Sequence, residues 1–147
     1  MNRKMILAVA LFLALGILQG TAAAGFNPLD NGTVTDPATN LVWLKNANCF
    51  GSVTSFNTAW AKAKALATGA CGLSDGSAAG DWRLPTSNEL VSRYANKTGF
   101  SNIQEGGYYW SMTADEKCEF LVVDMKTGKT RNCVDGTYIW PVRAIKK

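Results

Sequence analysis

The sequence has 147 residues, of which 47% are hydrophobic, and its 15 basic and 11 acidic residues give a net charge of +4. This length suits one domain with its own core, and the scattered basic residues give no argument for a nucleic-acid partner. Histidine is absent, which excludes Ser-His-Asp and Cys-His nucleophilic sites and histidine-based zinc sites.

The first 24 residues have the features of a secretory signal peptide. Two basic residues precede an apolar run, Met5–Leu18, that is shorter than the ~20 residues a membrane span needs, and small residues up to Ala24 offer a cleavage pattern. We expect residues 1–24 to be removed, although a retained anchor is the alternative. Residues 25–147 would then form a single exported domain of the periplasm or cell surface, with no membrane span.

All four cysteines lie in the expected mature chain, where an oxidising compartment permits disulfides. Three pairings are possible, and we favour Cys49–Cys71 and Cys118–Cys133 because each pair brackets one supersecondary unit. Each bond would stabilise the fold by roughly 3 kcal/mol. No C-x-x-C spacing occurs, so neither a metal nor a cofactor is expected.

The N-terminal half predicts a hairpin, a helix and a long loop. Strands over 33–36 and 41–44 are separated by turn-forming residues. Apolar residues three and four apart predict a helix from Ser55 to about Ala67. Residues 68–80 are rich in Gly, Ser and Ala and predict a surface loop, a kind of segment that often carries function. The expected buried helix face comprises Phe56, Ala59, Trp60, Ala63, Leu66 and Ala67.

The segment Asp81–Thr86 predicts a strand end, a turn and the start of a second helix. Pro85 lacks an N–H and ends the strand. Thr86 and Glu89 have the spacing of a capping box, in which each side chain accepts from the backbone of the other residue. Arg83 is expected to pair with a carboxylate, either Glu89 or Asp81, and to order the turn. The structural motif therefore comprises Asp81, Trp82, Arg83, Pro85, Thr86 and Glu89.

The C-terminal half predicts an antiparallel meander. Its strands are expected over 108–113, 119–125 and 130–134, and the run 137–145 closes the chain. The order of elements indicates an α+β fold in which two helices flank a curled antiparallel sheet.

Aromatic and basic side chains on these strands are the candidate ligand contacts. Tyr109 and Trp110 belong to an aromatic run whose ring faces suit the C–H surfaces of sugars, although strand alternation places part of this run in the core. Lys126, Lys129 and Arg131 cluster around one hairpin and would face sulfate or phosphate groups. A solvated basic surface is the alternative interpretation of this cluster.

Five motifs in the right order resemble the Lcl C-terminal domain family, a bacterial domain named for a collagen-like adhesin. The Arg83–Thr86 corner is also similar to that of the formylglycine-generating enzyme family. Both resemblances imply a C-type lectin-like fold with paired terminal strands, although the calcium-binding tripeptides of many C-type lectins do not occur here. The motifs are Gly32–Asp36, Leu41–Ala47, Asp81–Thr86 with Glu89–Leu90, Tyr109–Ser111 and Val142–Arg143.

The resemblance alone implies little about activity, but together with the absence of histidine it favours binding without catalysis. The named adhesin's domain is implicated in binding sulfated polysaccharide, so we expect a secreted module that recognises a glycan or another surface polymer. One alternative is a structural or protein-interaction domain with an envelope protein as its partner. A minor alternative is a formylglycine-generating-like oxidase, but Cys118 and Cys133 do not match the close cysteine pair of those enzymes.

Overall fold

The computed structural model describes residues 25–145, so the expected signal peptide and the last two lysines lie outside the described residues. The elements are β1 (Asn27–Pro28), β2 (Thr33–Asp36), β3 (Leu41–Leu44), α1 (Phe56–Ala65), α2 (Ser87–Ala95), β4 (Tyr108–Asp115), β5 (Glu119–Asp124), β6 (Lys129–Arg131) and β7 (Val142–Ala144).

The strands form two antiparallel sheets, with the orders β1-β2-β3-β7 and β4-β5-β6. Together with the two helices they make the α+β fold that the sequence predicts. The two separate sheets differ from the single curled sheet that we expected. The closing strand β7 pairs with β3, where Val142 lies opposite Trp43, and the first strand β1 pairs with β2 instead. The two ends of the described chain therefore meet in one sheet, but not as neighbouring strands.

The closing run is mostly irregular, so the prediction of a strand over 137–145 was wrong outside β7. The reason is that this run makes hydrogen bonds first with the second sheet and then with the first. The Trp110 N–H donates to the Tyr138 carbonyl at 2.9 Å, and the Leu44 N–H donates to the Pro141 carbonyl at 3.1 Å. Because Pro141 has no N–H of its own, it cannot complete a ladder, and the chain crosses from one sheet to the other there.

Trp140 lies at the centre of the larger hydrophobic core and is fully buried. Its ring contacts those of Trp43, Phe100 and Tyr109 at centroid distances of 5.6, 4.7 and 5.8 Å. Its Nε1–H donates to the Leu44 carbonyl at 2.8 Å, so the polar atom of the indole is satisfied inside the core.

Helix α1 starts after Ser55, whose hydroxyl accepts from the Thr58 N–H. Its buried stripe is narrow and consists of Ala59 and Ala63. Trp60, which we expected on that face, is 45% exposed. It follows Ala59 by one residue, about 100° around the helix, and so lies beside the stripe.

The corner before α2 contains the predicted capping box. The Glu89 N–H donates to the Thr86 hydroxyl at 3.2 Å, and the Thr86 N–H donates to the Glu89 carboxylate at 2.7 Å. Arg83 pairs with Glu89 through two hydrogen bonds of 2.9 and 2.8 Å. Asp81 instead accepts from the Ala78 N–H at 2.7 Å. The Glu89 carboxylate thus takes part both in the capping box at the start of α2 and in the ion pair with Arg83.

The loop over 68–80 is tied to the rest of the fold at several points. The Cys49–Cys71 disulfide, one of the two pairs that we favoured, joins it to the segment before α1. Its Asp75 accepts from Arg143 of β7 at 2.8 Å. At Gly32, a Cβ would lie 2.3 Å from the Gly72 carbonyl oxygen, so only glycine permits the loop to lie this close.

Replacing Thr86 by Ala removes the side-chain acceptor at the start of α2. We expect the free energy of unfolding to fall by about 1 kcal/mol. Urea denaturation of the variant and the parent chain measures this difference. The matched control is Thr98→Ala, which changes an exposed threonine after the end of α2. An equal loss in both variants would contradict the role of the cap.

Candidate functional site

An open cleft of about 330 Å³ lies where the start of α1 faces the β4–β5 end of the second sheet. Its lining includes three aromatic side chains, a disulfide, two hydroxyls and two carboxylates. Its lining residues are Thr54, Ser55, Phe56, Trp110, Cys118, Glu119, Phe120, Cys133, Val134 and Asp135.

Stacked phenyl rings form one wall of the cleft. Phe56, the first residue of α1, and Phe120 of β5 are both half-buried, and their rings lie 3.4 Å apart at an angle of 9°. Trp110 meets Phe56 edge-on at 6.1 Å, and its Nε1–H donates to the Val53 carbonyl at 3.0 Å. The Trp110 indole, held in place by this hydrogen bond, therefore packs against the Phe56 ring of the stack.

The opposite wall is covalently and conformationally restrained. The Cys118–Cys133 disulfide, the second pair that we favoured, joins the β4–β5 turn to the segment after β6. Glu119 and Cys133 have φ angles of 69° and 55°, in the left-handed region that non-glycine residues rarely adopt. Glu119 and Asp135 are exposed, and no lysine or arginine is among the residues that line the cleft.

The structure places Tyr109 and Trp110, the predicted aromatic ligand contacts, largely inside the core. Tyr109 is fully buried, its hydroxyl accepts from the Gln104 N–H at 3.0 Å, and burial raises the pKa of Tyr109 to about 12. Trp110 is 6% exposed and is among the residues that line the cleft. Both side chains are core residues because β4 is covered on both faces at this point.

The predicted basic cluster lies at the other end of β5. Lys126, Lys129 and Arg131 are exposed there, and Arg131 lies 3.5 Å from the Asp124 carboxylate. Lys126 lines a wide groove of about 600 Å³ with residues that the sequence analysis did not select, namely Tyr94, Ala95, Lys97, Glu105 and Met125. Because Lys97 pairs with Glu105, part of the positive charge in this groove is already neutralised.

A third cavity, of about 210 Å³, borders a buried ion pair. Arg93 donates to Asp36 at 3.0 Å, and its guanidinium lies between the rings of Phe26 at 3.8 Å and Trp43 at 5.1 Å. The rings cover the guanidinium, so we interpret this pair as part of the core. Burial lowers the pKa of Arg93, and Asp36 only partly opposes this effect.

A family model for the Lcl C-terminal domain matches residues 32–143. The chain belongs to the Lcl C-terminal domain family. The match includes both disulfides, the capped corner and every residue that lines the cleft. The comparison with curated proteins gives no match. In the described part of the domain, no helix is long and apolar enough to cross a membrane, and no cluster of three or more potential metal ligands occurs.

Sequence reasoning missed Phe56 and Phe120 as site residues. It placed Phe56 on the buried face of α1 and treated Phe120 as an ordinary strand residue. Their stacking depends on how α1 lies over the second sheet, which no local pattern encodes. The one available signal was that Cys118 and Cys133 bracket Phe120, which restrains its surroundings.

Replacing both Cys118 and Cys133 by Ser should lower the free energy of unfolding by about 3 kcal/mol, since a loop of this length loses its crosslink in the unfolded state. Urea denaturation measures the loss. Parent protein treated with a thiol reagent under denaturing, non-reducing conditions should show no reaction, because all four cysteines are paired. Free thiols in the parent protein would contradict both disulfides.

Acid should destabilise the domain through three carboxylates. Burial opposes ionisation of Asp75, Glu89 and Asp124, but hydrogen bonds from neighbouring groups outweigh it and hold each pKa below the ordinary values of 3.8 and 4.5. Their stabilising contribution is present above those values and is lost as the pH falls through the native pKa values.

Urea titrations from neutral pH down to about pH 3 would show this loss as a falling free energy of unfolding. Glu89→Gln should reduce the steepness of the fall. Glu116→Gln, which changes an exposed carboxylate outside these contacts, is the control. A pH slope identical in Glu89→Gln and the parent protein would exclude Glu89 as a contributor.

Proposed function

We propose that this Lcl C-terminal domain is a non-catalytic binding module that recognises a glycan through the aromatic cleft. The observation that carries the proposal is the half-exposed Phe56–Phe120 stack, which is flanked by carboxylates and hydroxyls. Aromatic faces pack well against the C–H surfaces of sugar rings. Carboxylates accept hydrogen bonds from sugar hydroxyls, and hydroxyl groups such as that of Ser55 both donate and accept.

The size of the cleft favours a short part of a longer polymer. Its volume of about 330 Å³ lies at the lower end of the range for small-molecule sites. The open mouth of the cleft leaves room for the rest of the polysaccharide to continue into solvent. We therefore propose a surface polysaccharide or envelope glycan as the ligand, held by one or two of its sugar residues.

The absence of catalysis and the exported location belong to the same proposal. The chain has no histidine, and every cysteine in the described residues is oxidised, so an oxidase with a reactive thiol has no support. Two disulfides favour an oxidising compartment such as the periplasm or cell surface. The pairing of β3 with β7 and the disulfides support a C-type lectin-like topology, which we propose as the finer fold assignment.

A second candidate function is contact with an envelope protein. Exposed apolar side chains favour it, above all Trp60 of α1 and Val134 at the mouth of the cleft. Protein interfaces are enriched in aromatic side chains such as that of Trp60. If this second function is the correct one, envelope proteins but no glycan should be retained by the immobilised domain.

Replacing Phe120 should separate these possibilities on a glycan array, with affinities measured by calorimetry. Phe120→Ala and Phe120→Leu should both weaken glycan binding, by roughly tenfold, since both remove an aromatic face worth about 1 kcal/mol or more. The leucine variant keeps an apolar side chain, so it controls for loss of packing. Lys126→Ala with Lys129→Ala should leave binding unchanged. The opposite pattern would place the ligand on the basic hairpin instead of the cleft.

A further inference from the structure

The charged residues that line the aromatic cleft are all acidic. Glu119 and Asp135 both line it, and in the described part of the chain neither makes an ion pair. The lining residues include no cation. Lys117 lies in the turn beside Cys118 but is not among the lining residues, and Lys126 and Lys129 lie beyond the far end of β5. The cleft therefore differs in sign from the protein as a whole.

The negative charge stands beside the stacked rings. Glu119 and Phe120 both line the cleft, so it offers a carboxylate and an aromatic ring to the same ligand. A cation is attracted both by the electron-rich face of an aromatic ring and by a carboxylate. A sulfate or carboxylate group on the ligand would meet repulsion from both. A ligand with ring C–H surfaces and a positive charge matches both features of the cleft.

The position of the charge is fixed by the backbone. Glu119 adopts a left-handed φ of 69°, and Cys118 beside it is bonded to Cys133 across the cleft. Holding a non-glycine residue in this conformation costs free energy, and such residues are concentrated at binding sites. The crosslink and the adjoining strand together keep Glu119 in place without a ligand.

We propose that the cleft selects glycans with free amino groups, meaning unacetylated amino sugars that are protonated, over neutral, N-acetylated and sulfated ones. The selection rests on the proposed glycan-binding function. In the complex, the ammonium group lies between the two carboxylates, and a sugar ring packs on the phenyl stack. An N-acetyl group cannot replace the ammonium, because it carries no charge.

The test compares four oligosaccharides of equal length: β-linked glucosamine, its N-acetylated form, the corresponding glucose oligomer and a sulfated oligomer. Calorimetry on the full exported chain, at a pH where the amine is protonated, should give at least about tenfold tighter binding to the glucosamine oligomer, equivalent to one charge-assisted hydrogen bond. Added salt should weaken this binding and leave that of the glucose oligomer unchanged.

Glu119→Gln combined with Asp135→Asn should abolish the preference, so that the glucosamine and glucose oligomers bind the variant with affinities within about twofold of each other. Asp30→Asn, which removes an exposed carboxylate that does not line the cleft, is the matched control and should keep the preference. Thermal melts check that the variants are folded. The comparison of ligands on the parent chain decides the question even if a variant does not fold.

The outcomes separate the selectivity from the binding function. Equal affinity for the glucosamine and glucose oligomers would overturn the selectivity and leave glycan binding in place. Tighter binding of the sulfated oligomer would also overturn it, and loss of that binding in Lys126→Ala would place the site on the hairpin. No binding of any oligomer would overturn both proposals.

Discussion

The packing around Trp140 holds the two sheets of this domain together. Its ring meets Trp43 from the first sheet and Tyr109 from the second, and its indole N–H is satisfied by the Leu44 carbonyl. Loss of a buried tryptophan commonly costs about 3–5 kcal/mol, a large part of the stability of a domain of this size. The chain crosses between the sheets next to this residue, at Pro141, so topology and packing depend on the same place.

The geometry of the cleft follows from the packing of α1 in the smaller hydrophobic core. Ala59 and Ala63 have small side chains, and both are buried with Trp110 and Val122 in the smaller hydrophobic core. Phe56, at the start of the same helix, also packs against this core. Phe56 is consequently held over β5, and the cleft is a product of core packing at its edge.

Local chemistry explains which features the sequence predicted. The capping box needs only Thr86 and Glu89 three residues apart, and the first hairpin needs only its turn residues, so both were predictable. The sequence analysis placed Trp60 on the buried face of α1, because apolar periodicity predicts where the buried face lies but not how wide it is. The crossing at Pro141 and the Phe56 contact were not predictable, because each depends on an element distant in sequence. The groove beside Lys126 was not predictable either, because it includes Tyr94 and Ala95 of α2.

The Cys118–Cys133 disulfide makes the shape of the proposed binding site depend on whether the surroundings are oxidising. One wall of the cleft consists of a turn and an irregular segment, whose main mutual restraint in the described chain is this sulfur bridge. A freshly made chain with both thiols reduced would lack that wall in its final form, and would therefore be a poor binder until oxidation. Under the proposed function, binding competence would therefore depend on oxidation of this cysteine pair.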